Sequence, residues 1–253
     1  MGLLLLSTIL AFGGTVSGEG VYVEEFDSPG KPQAPVGMEW SRVTELYFPV
    51  SWDEMVPGDG YAYLKAERAI FDNGVSRGKG PFQTLSIGPV EAGSRLSIRA
   101  KNTAVPGLVG LFFTYNEQGT FDEIDIEIVA SDRTVRPAGQ GGNWTDARFN
   151  TWAEADLNTL RPGNIKKSPL RNAAGIKVSH RDGKFHVYTL EWKPDSVRFL
   201  VDGVEQSSTR QFVPKRPATL IFGFRHMPWA GEPDWDGYQT MQVDWVKIEA
   251  LSP

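Results

Sequence analysis

Cysteine is absent from all 253 residues, which excludes disulfide staples and thiolate metal sites outright. Positive charge is also in short supply. Lys and Arg total 26 against 31 Asp and Glu, giving a formal net charge of −5. The basic residues are scattered, so neither nucleic acid nor an anionic membrane is expected as a partner. Long apolar runs are missing beyond the N-terminus, and no later segment is fit to cross a bilayer. The chain also lacks internal repeats, low-complexity tracts and any interdomain linker. Residues 19–253 therefore read as a single domain, large enough to bury a core without staples.

The N-terminus is the exception. Met1 to Gly18 carries LLLLSTILAF followed by the small residues TVSG, the pattern of a secretory signal cleaved near Val16-Ser17-Gly18. No Lys or Arg precedes the run, and a buried N-terminal strand is the alternative reading. The expectation is a secreted or periplasmic monomer with no membrane contact after cleavage.

What the chain does contain is aromatic and turn-forming residues: 8 Trp, 14 Phe and 7 Tyr, with 27 Gly and 17 Pro. Short apolar runs punctuated by Gly and Pro fit a sandwich of strands and loops. Strand candidates include QTLSIGPV, SRLSIRAK, LVGLFFTYN, KFHVYTLEW, SVRFLVDGVEQ, ATLIFGFRH and MQVDWVKIEA. Asp72-Asn73-Gly74 reads as a hairpin turn, and Lys193-Pro194-Asp195 as another turn. Ser131 to Gly175 reads as one long irregular connection, of the kind that is usually functional or mobile. Trp192 and Trp245 fall in alternating strands and are assigned to the core.

One stretch stands apart. In FDEIDIEIVA, Glu123, Asp125 and Glu127 alternate with Ile124, Ile126 and Ile128. Strict period-2 alternation rich in β-branched residues is a strand pattern. It places three carboxylates on one face and three isoleucines on the other. A helix would turn Asp125 away from the two glutamates. Crowded carboxylates disfavour one another's ionisation, which raises at least one pKa. A raised acid beside an ionised carboxylate is what glycoside hydrolysis requires. The other reading is a solvated face of an amphipathic strand.

FFTYN…FDEIDIEI resembles the signature of glycoside hydrolase family 16, whose Glu-x-Asp-x-Glu carries catalysis. FHVYTLEWKPDSVRFLVDG, FDNG and VDWVKI are similar to further segments of its licheninase-like branch. The likeness runs in order from about Glu24 to Ile248. It implies an all-β jelly-roll sandwich, concanavalin A-like, of two curved antiparallel sheets with an open cleft for a polysaccharide. By the same resemblance Glu123 is the nucleophile, Glu127 the general acid/base and Asp125 the modulator between them. The implied activity is a retaining endo-β-glucanase of the 1,3-1,4 or 1,3 type, with no cofactor for catalysis. Phe121, Asn150, Trp152 and Arg99 match substrate-contacting positions. Asp244 matches the carboxylate of a structural calcium site, completed by backbone oxygens near Glu25 and Gly74.

Elsewhere the chain departs from that branch. Gly223-Phe224-Arg225 stands where licheninases carry Asn-x-Trp, and Ser97 replaces a Glu two residues before Arg99. Arg225 and His226 suit an acidic, sulfated or galactan-type polysaccharide, cleaved or transglycosylated. Trp229, in a loop held by Pro and Gly, is a candidate sugar platform. A jelly-roll lectin is the alternative outside the enzymes, although such a protein would be expected to have lost a catalytic carboxylate.

Overall fold

The computed structural model describes residues 20–44, 50–68, 81–133 and 142–251. The leader at 1–18 and the Asp72-Asn73-Gly74 turn lie outside them. Two antiparallel sheets pack face to face. The front sheet has the order β2 (Glu39–Thr44), β4 (Pro81–Val90), β13 (Ala218–His226), β6 (Leu108–Gln118), β7 (Thr120–Val129), β8 (Asp146–Asp156) and β9 (Arg161–Pro169). The back sheet runs β1 (Val21–Glu24), β14 (Tyr238–Ala250), β5 (Ser94–Lys101), β10 (His186–Lys193), β11 (Ser196–Val201) and β12 (Val204–Thr209). β3 (Ala62–Glu67) pairs with the first half of β14. This is the jelly-roll sandwich expected from the sequence.

The inner faces are built as period 2 dictates. Ile124, Ile126 and Ile128 of β7 join Phe112, Phe149, Phe222 and Phe224 on the front sheet. They meet Ile98, Leu190, Trp192, Phe199 and Val246 from the back sheet in one continuous core. Phe149 and Phe199 bring their rings within 5.5 Å across the interface. The polar tips of the buried aromatics are satisfied. Trp40 Nε1 donates to the Tyr22 hydroxyl at 3.0 Å, and that hydroxyl donates to the Gln33 carbonyl at 2.8 Å. Each such pairing removes the cost of a stranded buried polar group.

Two expectations are overturned. Much of the stretch expected to be irregular, Ser131–Gly175, is the hairpin β8–β9. Its alternation was hidden because the outward positions of β8 include Arg148 and Asn150, and because β9 is an edge strand of largely polar sequence. Trp245 is the second correction. The ladder between β14 and β5 shifts register between Val243 and Trp245. That bulge turns Asp244 and Trp245 toward a polar pocket instead of the core.

β7 is hydrogen-bonded along both edges, to β6 without any register shift and to β8 straight through Glu123–Val129. Any loss of packing beneath it should register globally. Ile126→Ala, at a fully buried position, is expected to lower the unfolding free energy by about 2–5 kcal/mol in denaturant titration. A loss below about 1 kcal/mol would mean that the strand is not seated in the core as described.

Candidate active site

Because Ile124, Ile126 and Ile128 point inward, the alternate residues of β7 emerge on the outer face of the front sheet. There Glu123 lies opposite Tyr115 on β6 and Trp152 on β8. Asp125 lies between Phe113 and Asn150, and Glu127 between Leu111 and Arg148. The absence of a bulge between Glu123 and Glu127 keeps all three carboxylates on one side.

A single amide organises the trio. Asn150 Nδ2 donates to Asp125 Oδ2 at 3.1 Å and to Glu127 Oε2 at 2.9 Å. Asp125 and Glu123 share a further side-chain hydrogen bond. Two carboxyls can share one only if one of them keeps its proton. Asp125 is the one: burial and then the charges of Glu123 and Glu127 hold its pKa well above the ordinary carboxylate value. Burial also raises Glu123, but the bond from Asp125 and the positive charge of Arg225 pull it back. Glu127 is pushed up to about 7, chiefly by burial. Asn150 and Arg148 oppose that rise. The arrangement thus holds all three carboxyls above their ordinary values, with burial as the leading cause in each.

Arg148 was not singled out from the sequence. It ion-pairs with buried Asp132 through its Nε, and its guanidinium carbon lies 3.2 Å from the centroid of the Trp229 ring. The Asp132 backbone N–H in turn donates to Asp146 Oδ2 at 3.0 Å. Trp229, on the 3₁₀ turn Pro228–Ala230, therefore reaches the site as the stacking partner of an arginine. One ring face is thus taken, and only the other is left for the expected sugar contact. Val109, Leu111, Val129 and Ala230 form an apolar floor beside it.

At the other end, Phe121 packs between Tyr115 and Trp152, with centroids 6.2 Å and 6.0 Å away. Phe121 is only 3% exposed and Trp152 8%. Phe121 thus supports the wall rather than offering a stacking face, which corrects its expected role. Just behind it, Asp122 clamps Arg216 at 3.0 and 2.8 Å and accepts the Glu154 N–H at 2.6 Å. Asn150 and Trp152 are brought to the trio as expected.

Arg225, on β13 one strand beyond β6, faces the same surface. Its charge acts on both Glu123 and Glu127. Its buried Nε has no hydrogen-bond partner among the described residues.

Arg99 is not part of this site. On β5 the inward residues are Leu96, Ile98 and Ala100, so Arg99 projects from the outer face of the opposite sheet. There it ion-pairs with Asp244 and lies 4.7 Å over the Phe185 ring. Resemblance in sequence placed it in the cleft; strand parity places it across the sandwich. Asp244 and Glu25 do line one polar pocket of about 310 Å³, with Asp27 and Asp59. Calcium asks for six to eight converging oxygens. Among the described residues no three carboxylates converge to within 4.8 Å, and the Arg99 guanidinium already neutralises Asp244. The expected set rests on Asp244 and on backbone oxygens near Glu25 and Gly74, and Gly74 lies outside the described residues.

The raised pKa of Glu127 carries a stability consequence. Its folded value of about 7 exceeds the ordinary 4.5, so the folded chain holds a proton that the unfolded chain releases. That contribution is complete below about pH 4.5 and is lost as pH rises through 7. Glu127→Gln should therefore raise the Tm at pH 8 and leave it nearly unchanged at pH 4. Equal effects at both pH values, or a lower Tm at pH 8, would contradict the assignment.

Comparison with known proteins agrees with this geometry. The family model for glycosyl hydrolases family 16 matches residues 92–247. A β-glucanase of Acetivibrio thermocellus is 29% identical over 159 residues, covering 60% of this chain and 40% of the relative. A β-glucanase of Paenibacillus macerans is 30% identical over 157 residues, covering 58% of this chain and 54% of the relative. The chain thus spans about half the length of these curated relatives. Among solved structures, a β-1,3-1,4-glucanase (lichenase) from a mouse hindgut metagenome aligns at TM-score 0.62 with 20% identity, over 92% of this chain and all of that one. The β-glucanase of Bacillus licheniformis aligns at TM-score 0.61 with 17% identity, over 92% and 99%. A front sheet bearing an unbulged Glu-x-Asp-x-Glu strand, together with a match over more than half its length, shows that the chain belongs to glycosyl hydrolase family 16.

Proposed function

We propose that the protein is a secreted, retaining endo-β-glycan hydrolase, most simply a β-1,3-1,4-glucanase, with Glu123, Asp125 and Glu127 as its catalytic trio. The observation that carries this reading is the placement of three carboxyls on one outer strand face, two of them bridged by the Asn150 amide. Glu127, pushed up to about 7, retains a proton for the leaving glycosidic oxygen. Glu123, half-buried and steadied in its ionised form by Asp125, attacks the anomeric carbon. The C–O bond to the leaving sugar breaks as the Glu123 oxygen bonds to that carbon, giving a glycosyl-enzyme. Glu127, now a carboxylate, takes a proton from water, whose oxygen displaces Glu123. The 1,3-1,4 linkage rests on the names of the relatives, and secretion on the N-terminal pattern.

A second substrate reading has its own observation. Gly223, beside Leu111 on the outer face, has φ of +148°, and a Cβ there would lie 2.2 Å from the Gln83 carbonyl oxygen. The site therefore carries no side chain at that point, and Arg225 follows it on the same face. A space flanked by the Arg225 guanidinium suits a glycan bearing a carboxylate or sulfate, because charge-assisted bonds to Arg are strong and directional.

Glu123→Gln and Glu127→Gln should each lower kcat by about 10³-fold or more on the active glycan. NMR of early products should show retained anomeric configuration; inversion, or unchanged turnover in either variant, would remove the proposal. Lichenan assayed beside uronate- and sulfate-bearing polysaccharides distinguishes the two substrates. If the acidic reading holds, Arg225→Gln cuts kcat/KM about 10–100-fold on the acidic glycan, with much less effect on a neutral one. Equal loss on both would assign Arg225 to tuning the trio alone.

A further inference from the structure

Two of the three histidines in the chain lie away from the carboxylate trio, in one cluster with two aspartates. His180, in the loop before β10, and His186, the first residue of β10, stack with ring centroids 3.5 Å apart and planes 6° apart. Asp202 reaches them from the tight turn between β11 and β12, where Asp202 and Gly203 both have positive φ.

The hydrogen bonds around the cluster follow one rule. Each member spends one polar atom on an outer partner and turns the other inward. His180 Nδ1 bonds the Tyr188 hydroxyl at 3.0 Å, leaving Nε2 inward. His186 Nε2 bonds Asp182 Oδ1 at 3.1 Å, leaving Nδ1 inward. Asp202 Oδ1 accepts the Val187 N–H at 2.8 Å, leaving Oδ2 inward. The inward atoms of all three residues lie within 4.8 Å of one another. Asp182 is itself held by the Lys184 N–H at 3.0 Å. Outer partners that fix the tautomer and the ring orientation are what metal-binding histidines require.

We propose that His180 Nε2, His186 Nδ1 and Asp202 Oδ2 form a binding site for a divalent transition-metal ion of the zinc class. Two imidazole nitrogens and one carboxylate oxygen match zinc rather than calcium or magnesium. The inward contacts are His186 Nδ1 to Asp202 Oδ2 at 2.8 Å and His180 Nε2 to Asp202 Oδ2 at 4.0 Å. Tetrahedral bonds of about 2.0–2.1 Å set ligand–ligand edges near 3.3 Å. The first contact therefore opens by about half an ångström, the second closes by somewhat more, and the stacked rings splay around the ion. On binding, the ion replaces the proton between His186 and Asp202, which is released to solvent. The Asp202 side chain is about half exposed, leaving a path for entry and a fourth position for water. The ion would fasten the loop before β10 to the β11–β12 turn. That loop also abuts β8, since the His180 N–H donates to Thr145 Oγ1 at 2.8 Å, directly before the strand that supplies Arg148 and Asn150.

The test is zinc binding by the full chain without a histidine tag, measured by competition with a chromophoric chelator. One zinc per chain at micromolar affinity or tighter is expected, with a rise in Tm that calcium does not reproduce. His186→Gln and Asp202→Asn should each weaken binding at least about 10-fold, with the fold checked by circular dichroism. X-ray absorption on the zinc-loaded wild type should show a mixed imidazole and oxygen shell at about 2.0–2.1 Å. This second readout does not depend on any variant folding. Sub-stoichiometric binding, unchanged affinity in both variants, or an all-oxygen shell would overturn the proposal.

Discussion

The constraint on which this structure turns is the crowding of three carboxylates on one face of a single strand. In water they would repel and ionise independently. On β7 they cannot separate, because the strand is paired on both edges and the isoleucines between them are locked in the core. Nor can all three ionise, because burial and mutual repulsion act together on them. The chain meets the conflict by raising the Asp125 pKa well above its ordinary value, by bridging Asp125 and Glu127 with the Asn150 amide, and by placing Arg148 and Arg225 at the margins. The site is thus a stored electrostatic stress, tolerated because the sandwich beneath it is rigid.

That rigidity has a simple source. The same alternation that exposes Glu123, Asp125 and Glu127 buries Ile124, Ile126 and Ile128. Chemistry and packing are two sides of one strand. The neighbouring strands repeat the device: Phe149 and Ala147 face the core from β8 while Arg148 and Asn150 face the trio. Asp132 and Trp229 then brace Arg148 from the loops, so the charge nearest Glu127 is held at a fixed position instead of swinging into solvent.

Much of this was legible in the sequence. Period-2 alternation located β7, and its likeness to a known signature gave both the sandwich and the trio. Residues on strands with inward apolar and outward polar positions were easy to read. The errors have physical causes. β8 was read as loop because its outward residues are polar and it adjoins an exposed edge strand. Arg99 was misplaced because a motif records order along the chain but not which sheet, or which face, a strand joins. Trp245 was misassigned because a bulge at Asp244 breaks the alternation locally. Arg148 and Asp132 went unnoticed because their value arises only from cross-strand pairing, and His180, His186 and Asp202 because three separate segments bring them together.

The central claim is that burial and crowding hold the three carboxyls above the ordinary carboxylate range. It is tested most directly by ¹³C NMR titration of the Glu and Asp carboxyl carbons in the ligand-free protein, with Glu127→Gln and Asp125→Asn spectra for assignment. The account predicts that the Glu127 carboxyl titrates near pH 7 while Asp125 titrates well above the ordinary carboxylate range. Three carboxyls titrating together in the ordinary range near pH 4 would contradict it.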